Sequence, residues 1–374
     1  NHAATEPKIK PIIANIVLII VMILLCLLLL EVMLRVSNPP IVRGFIRQPD
    51  IYEPNETVGY LYRPMSSGMI FRDGNYRVDL QMNNRGFHDV DFVDEKREGV
   101  TRVAVIGDSF SAGLHVEREK SFASQLDGLL ADGCNCEVYN FGVDGFGVHQ
   151  ERTIFEDYVL DYRPDVVVHQ IYDNDITDAQ LPLIFRESYR DILIYYPAST
   201  ADQLDVAKQE IDTFFANPLH QFLYDTVTDT YLSRVVYRLM QNSIGTDYIE
   251  RNRLRLYERE DINLELDATP EERIVQDMVA IQDMCELNGC EYVVVMIPDV
   301  EYVTHETDEY YALPIQSLLD DAGIAYLDLA DAMQAEVDAG TNLFFPDDGH
   351  TNEVGHAFIA EQIASYLRDT MDID

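Results

Sequence analysis

The chain has 374 residues, 47% of them hydrophobic, and carries 66 acidic against 27 basic side chains, a formal net charge of -39. That is material for one large decorated domain or two small ones. Its negative field repels phosphate backbones, so nucleic acid is excluded as a partner, and the charge reads as a solvated acidic surface rather than a dedicated calcium store.

Ile12 to Leu30 is an apolar run of Ile, Val, Leu and Met in which Asn15 is the one strongly polar residue. At helical rise it spans roughly 28 Å, close to the hydrocarbon thickness of a bilayer. The run is longer than that of a secretory signal, and Glu31 to Arg35 offer no small-residue cleavage site. Leu25 is too large to precede a lipoprotein cysteine at Cys26. Residues 1–36 are therefore expected to be a cytoplasmic stub and a single transmembrane helix, in contact with the membrane through residues 12–30. Lys8 and Lys10 ahead of the span favour a cytoplasmic N-terminus, with Arg35 counting against it. The main domain is then periplasmic or extracellular.

Ser37-Asn38-Pro39-Pro40 breaks the helix. Residues 37–98 read as an extended, partly β lead-in. Within it Met69-Ile70-Phe71 and Tyr76 to Leu80 form a hairpin around Asp73-Gly74-Asn75, and Asn83 to Phe87 is a further turn.

From residue 99 the texture becomes strand, loop, helix, repeated. Strands are expected over Arg102–Ile106, Glu137–Asn140, Asp165–Ile171, Glu291–Ile297 and Ala325–Leu329. The first, third and fourth are continuously apolar, as in strands covered on both faces. Helices are expected over Phe122–Leu130 behind a Ser121 cap, Glu271–Leu287 ending before Gly289, Leu313–Leu319 and Glu353–Leu367. This alternation builds a flavodoxin-like three-layer α/β/α domain with about five parallel strands, over residues 99–374. Residues 181–270 interrupt the rhythm; the apolar spacing over 208–241 predicts a helical insertion, too long for an ordinary loop. It suits a lid, a substrate wall or a docking surface for membrane-complex partners. Cys134, Cys136, Cys285 and Cys290 allow three pairings. No histidine stands beside them, which favours disulfides over a zinc cluster.

Four short segments carry chemistry. Gly107-Asp108-Ser109-Phe110 follows the first core strand, placing Ser109 at the strand edge where open α/β sheets bind ligands, with its backbone N–H at a helix start. Gly-Asp-Ser-Phe-Ser-Ala-Gly is not a glycine-spaced dinucleotide loop, so a nucleotide-binding Rossmann module is excluded. Asn140 to Gly145 (NFGVDG) follows the second strand, and Tyr172-Asp173-Asn174-Asp175 the third. Asp347-Asp348-Gly349-His350 precedes the last helix, and its spacing lets one turn present an acid and an imidazole. Asp173, Asp175 and Asp178 lack a full EF-hand spacing. His356, inside the last helix, reads as a packing residue.

In this order the four segments resemble the blocks of the SGNH (GDSL-type) hydrolases, over residues 100–180 and 271–370; Asn84-Arg85-Gly86-Phe87 resembles the lead-in of bacterial membrane-anchored members. The resemblance implies a serine esterase or acyltransferase with Ser109 as nucleophile, His350 as base and Asp347 as its orienter. The oxyanion donors it implies are the N–H of Ser109, the N–H of Gly145 (Gly142 being second choice) and the amide of Asn174. Tyr172 replaces the glycine usual at its position, and Asp348 matches no family role. Family habit points to O-acyl, chiefly O-acetyl, groups on extracytoplasmic glycans, with lipid esters as the other acylated substrate. No cofactor and no metal is expected. The competing reading is an accessory subunit of a membrane complex that keeps the fold with an idle site.

Overall fold

The computed structural model describes residues 9–131, 133–190, 192–197, 204–244, 264 and 267–371. Lys8 and the rest of the expected N-terminal stub before residue 9 lie outside them, as do parts of the expected insertion. The chain forms two compact units, residues 1–45 with 209–248, and residues 46–208 with 249–374.

In the first unit one helix runs over Ile9–Ser37. Its segment Ile13–Ser37 contains an 18-residue window of mean hydropathy 3.3, none of it buried inside the protein, so it is long and apolar enough to cross a membrane. Helices Pro218–Thr226 and Tyr231–Ile244 belong to the same unit. Glu31 accepts hydrogen bonds from the N–H groups of Tyr231 (3.0 Å) and Leu232 (2.8 Å), satisfying donors that the second helix leaves open at its start. Arg35 Nη2 donates to the carbonyl of Asp229 at 2.6 Å. The end of the apolar helix is thereby tied to the turn that joins the helix pair.

Among the described residues, the second unit holds twelve strands. β1 (Ile46–Arg47), β2 (Tyr52–Asn55), β3 (Gly59–Tyr62), β4 (Ser67–Arg72) and β5 (Tyr76–Gln81) form the lead-in. β6 (Thr101–Ile106), β7 (Cys136–Asn140) and β8 (Val166–Ile171) belong to the main sheet, and β9 (Ile184–Tyr189) and β10 (Ile192–Pro197) to a separate hairpin. β11 (Glu291–Met296) and β12 (Ala325–Asp328) complete the main sheet, which is parallel throughout in the order β12-β11-β8-β6-β7. Val103, Val105, Val166, Val168, Val293 and Val295 enter one core, with Leu126 and Ile363 of the helices on that face. Ala104, Ile106, Val167, Ile171, Val294 and Met296 enter the other, with Met278 and Ile315. Both faces of the three inner strands are apolar because both are covered. The result is the three-layer α/β/α fold.

The chain leaves β6 toward β7 and then returns to the other side of β6 with β8. The loops after β6 and β8 therefore diverge at a switch point, where the sheet opens a crevice. Ser109 opens a short helix after β6, and Asn174 one after β8.

The insertion departs from the helical expectation at its start. Residues 184–197 pair as an antiparallel hairpin, Ile192 opposite Tyr189, and β9 alternates buried and half-buried side chains with period two. Buried Arg186 lies over the Tyr60 ring, its guanidinium carbon 4.2 Å from the ring centre, and donates to Asp144 at 2.9 Å. Tyr52 and Tyr62 hydroxyls donate to the same carboxylate at 2.9 and 2.6 Å, which pins the loop after β7. The cysteines form two local disulfides, Cys134–Cys136 and Cys285–Cys290.

Candidate active site

Ser109 and His350 are 241 residues apart in sequence, and the fold places Ser109 Oγ 2.8 Å from His350 Nε2. On the far side of the ring, Nδ1 meets a carboxylate oxygen of Asp348. A carboxylate only accepts, so Nδ1 carries the proton and Nε2 is left free to accept from the serine hydroxyl.

The carboxylate behind His350 is thus that of Asp348, not of Asp347. Asp347 is turned away by its backbone, whose N–H donates to Asn75 Oδ1 at 3.0 Å and whose carbonyl accepts from Arg72. The second oxygen of Asp348 accepts from Arg72 Nη1 at 2.5 Å and from the Tyr76 hydroxyl at 3.1 Å. Arg72 ends β4 and Tyr76 begins β5, on either side of the turn at Gly74 (φ 84°). One hairpin tip therefore clamps the loop that carries the histidine. Burial opposes ionisation of Asp348, whose side chain is 2% exposed. The hydrogen bond from His350, the electrostatic attraction of that imidazole and the Arg72 charge outweigh it and hold the carboxyl well below its ordinary value. Asp348 stays an anion that can stabilise an imidazolium.

The walls of the site are aromatic. Phe110 lies 5.1 Å from the His350 ring and 4.4 Å from Tyr172, centre to centre. His115 is buried with its ring 4.0 Å from that of His350 and 4.8 Å from Tyr76. Burial, then the neighbouring His350, holds His115 well below the ordinary histidine value, so it is neutral.

Of the expected oxyanion donors, Ser109 and Asn174 lie on the loops after β6 and β8, and Gly145 on the loop after β7. Asn174 Nδ2 donates to Asp178 at 2.9 Å, which occupies one of its two amide hydrogens and leaves one. Gly145 has φ 70°, and a Cβ there would lie 2.0 Å from Nη2 of Arg186, so only glycine fits. Gly142 packs against the helix that Ser109 begins: its Cβ would lie 2.4 Å from the Ala112 nitrogen. Its own N–H is taken by Asn140 Oδ1 at 2.9 Å, which removes it as an alternative donor. The amide of Tyr172 donates to Asp175 at 2.9 Å. Asp175 and Asp178 are thus spent on local hydrogen bonds rather than arranged as a cation loop. His356 packs on Phe122 and accepts from its N–H at 3.2 Å, a structural role.

Behind the serine, Asp108, Glu151, Asp175 and Asp178 are all buried. Burial pushes the Asp178 carboxyl up to about 7, with the charge of Asp108 adding to the shift. Glu151 and Asp175 are pushed well above the ordinary range, again chiefly by burial and then by neighbouring acids.

An open parallel α/β fold with a serine, an imidazole and a carboxylate aligned at its switch point defines a serine hydrolase of the acyl-ester class. A sequence profile of the GDSL-like lipase/acylhydrolase family matches residues 103–363, and the chain belongs to that family. No curated protein matches it. Among solved structures it is similar to the acetyl xylan esterase AlAXEase, at 16% identity over 71% of this chain and 99% of that one, with a TM-score of 0.40. A variant of Axe2, an acetyl-xylooligosaccharide esterase from Geobacillus stearothermophilus, matches at 12% identity over 72% and 93%, TM-score 0.41. The lipase/acylhydrolase from Enterococcus faecalis matches at 11% identity over 72% and 96%, TM-score 0.40.

Two outcomes test this geometry. Asp348→Asn should lower kcat for an ester substrate by about 10²- to 10⁴-fold, because the wrong tautomer of His350 is favoured. Asp347→Asn should change it by less than about 3-fold; the reverse ranking would restore Asp347 as the orienter. For stability, a carboxyl raised in the folded state stabilises the fold below its unfolded value and loses that contribution as pH rises through the folded value. His88, His115, His149, His169 and His356, all lowered by burial, act with the opposite sign, and that opposition fades above pH about 7 as the unfolded imidazoles lose their protons. The melting temperature should therefore fall from pH about 7 to 8, and Asp178→Asn should flatten that fall. An unchanged slope would remove Asp178 as its source.

Proposed function

We propose that this chain is a membrane-anchored serine esterase or acyltransferase acting on O-acetyl groups of extracytoplasmic glycans. The observation that carries the reading is the Ser109 hydroxyl 2.8 Å from an imidazole nitrogen whose other nitrogen is held by a buried anion. In this mechanism Ser109 attacks the ester carbonyl as His350 takes its proton, and Asp348 stabilises the imidazolium. The N–H groups of Ser109 and Gly145 and the free amide hydrogen of Asn174 receive the oxyanion. His350 returns the proton to the departing alcohol. Water then completes hydrolysis, or a sugar hydroxyl completes transfer. The apolar helix at Ile13–Ser37 supports an anchor, and Lys8 and Lys10 ahead of it support an extracytoplasmic main domain.

The choice of a glycan rests on a cleft of about 1010 Å³ that shares Tyr172, Asp348 and Gly349 with the site. Six further carboxylates line it (Asp173, Glu271, Asp299, Glu301, Glu309 and Asp347), and among the described residues its lining includes no lysine or arginine. Burial, then the charges of Asp299 and Glu301, pushes the Asp173 carboxyl above its ordinary value. Carboxylates accept hydrogen bonds from sugar hydroxyls, and Tyr172 and Phe345 offer faces for a pyranose. The same charges repel phospholipid headgroups and uronates.

The test is labelling of the full chain in mild detergent with a fluorophosphonate probe. Labelling is expected, and Ser109→Ala should abolish it. Enzyme not exposed to the probe should release acetate at least about 10-fold faster from an O-acetylated neutral glycan than from an O-acetylated polyuronate, with added salt narrowing the gap. A folded chain that does not label would overturn the esterase reading in favour of an accessory subunit; equal rates on the two glycans would overturn the substrate assignment.

A further inference from the structure

His115 has no part in the acyl chemistry above, yet it is buried against the catalytic ring. Its side chain, that of Asp348 and that of His350 each present a ligand atom, and the three atoms lie within 4.8 Å of one another. It is the one such cluster of histidine, cysteine and acid side chains among the described residues. Two imidazoles and one carboxylate suit zinc, which takes four ligands and would complete its set with water. Tetrahedral zinc holds its ligand atoms roughly 3.3 Å apart, so binding requires the Asp348 carboxylate to draw back from His350 Nδ1 and the His115 ring to shift from its place against His350. The outer contacts are present as well. Asp348 turns one oxygen toward the imidazoles, while Arg72 and the Tyr76 hydroxyl hold the other, an arrangement that orients a ligating carboxylate. The Arg72 charge also opposes the cation, which sets the affinity in an exchangeable rather than a permanent range.

We infer that His115, Asp348 and His350 form an inhibitory zinc site that switches the serine off. The carboxylate meets His350 at Nδ1, so a cation shared between them takes the Nδ1 lone pair. The proton that Nδ1 carried is lost to solvent, and one is gained at Nε2, leaving the ring neutral. Nε2–H then donates to Ser109 Oγ instead of accepting from it, and no base remains to take the hydroxyl proton. Magnesium, which prefers oxygen ligands in an octahedron, is not expected to occupy the set.

The experiment uses the full chain in mild detergent, stripped with a chelator and dialysed. Zinc bound per chain is measured by equilibrium dialysis, and serine reactivity by the rate of fluorophosphonate labelling. The parent should bind one zinc more than His115→Phe or His115→Gln. Saturating zinc should slow its labelling by at least about 10-fold, and chelator should restore it. Without zinc, both variants should still label, at a rate that zinc no longer slows. Two replacements of different polarity are used so that a folding defect in one does not decide the matter. Equal zinc stoichiometry in parent and variants, or inhibition that survives loss of His115, would overturn the site. The labelling arm rests on the esterase reading and the dialysis arm does not. A chain that never labels but loses one zinc with His115 would therefore sink the esterase reading and keep the metal site.

Discussion

The site depends on one buried carboxylate. Asp348 is almost wholly removed from solvent, and an isolated anion in such a position would sooner take up a proton than stay charged. It remains charged because its two oxygens are divided between two cationic or polar partners, His350 on one side and Arg72 with Tyr76 on the other. Arg72 and Tyr76 flank the turn of a hairpin that precedes the α/β domain in sequence, and Asn75 in the same turn holds the Asp347 amide. The lead-in is therefore part of the candidate site. Without it the histidine loop would lack both its counter-charge and its backbone tether, and the imidazole would lack a defined tautomer.

The sheet supplies the rest of the geometry. Strands apolar on both faces make a rigid platform, and the change of winding direction beside β6 brings the loops after β6 and β8 to one crevice. Behind that crevice lies a concentration of buried acids. Ionised, they would oppose an oxyanion at Ser109; their raised affinity for protons keeps that opposition small. Within the other unit, Glu31 at the end of the apolar helix caps a second helix, so the segment adjoining that helix is ordered by charge and hydrogen bonding.

Much of this architecture was legible in the sequence because its signals are local. Continuous valine and isoleucine runs mark the inner strands. Asp-Gly-Asn between alternating residues marks the β4–β5 hairpin, and Gly289 marks the left-handed end of the long helix. Ser109 and His350 were placed by motif, and the fold brings them within hydrogen-bonding distance. The hairpin at 184–197 was less legible, because aromatic and charged residues alternate there under a period-two pattern too short to outweigh the helical spacing that follows it.

The sequence by itself determined the apolar span, the strand and helix order, and the positions of the serine and the histidine, since each follows from side-chain periodicity or from chemistry confined to a few neighbours. Only the tertiary structure decided which of two adjacent aspartates serves the histidine. Successive residues in a loop point in different directions, and the direction is set by Arg72, Asn75 and Tyr76, more than 270 residues away along the chain. It likewise decided that His115 lies against His350, a contact made by packing between elements that no spacing in the sequence encodes.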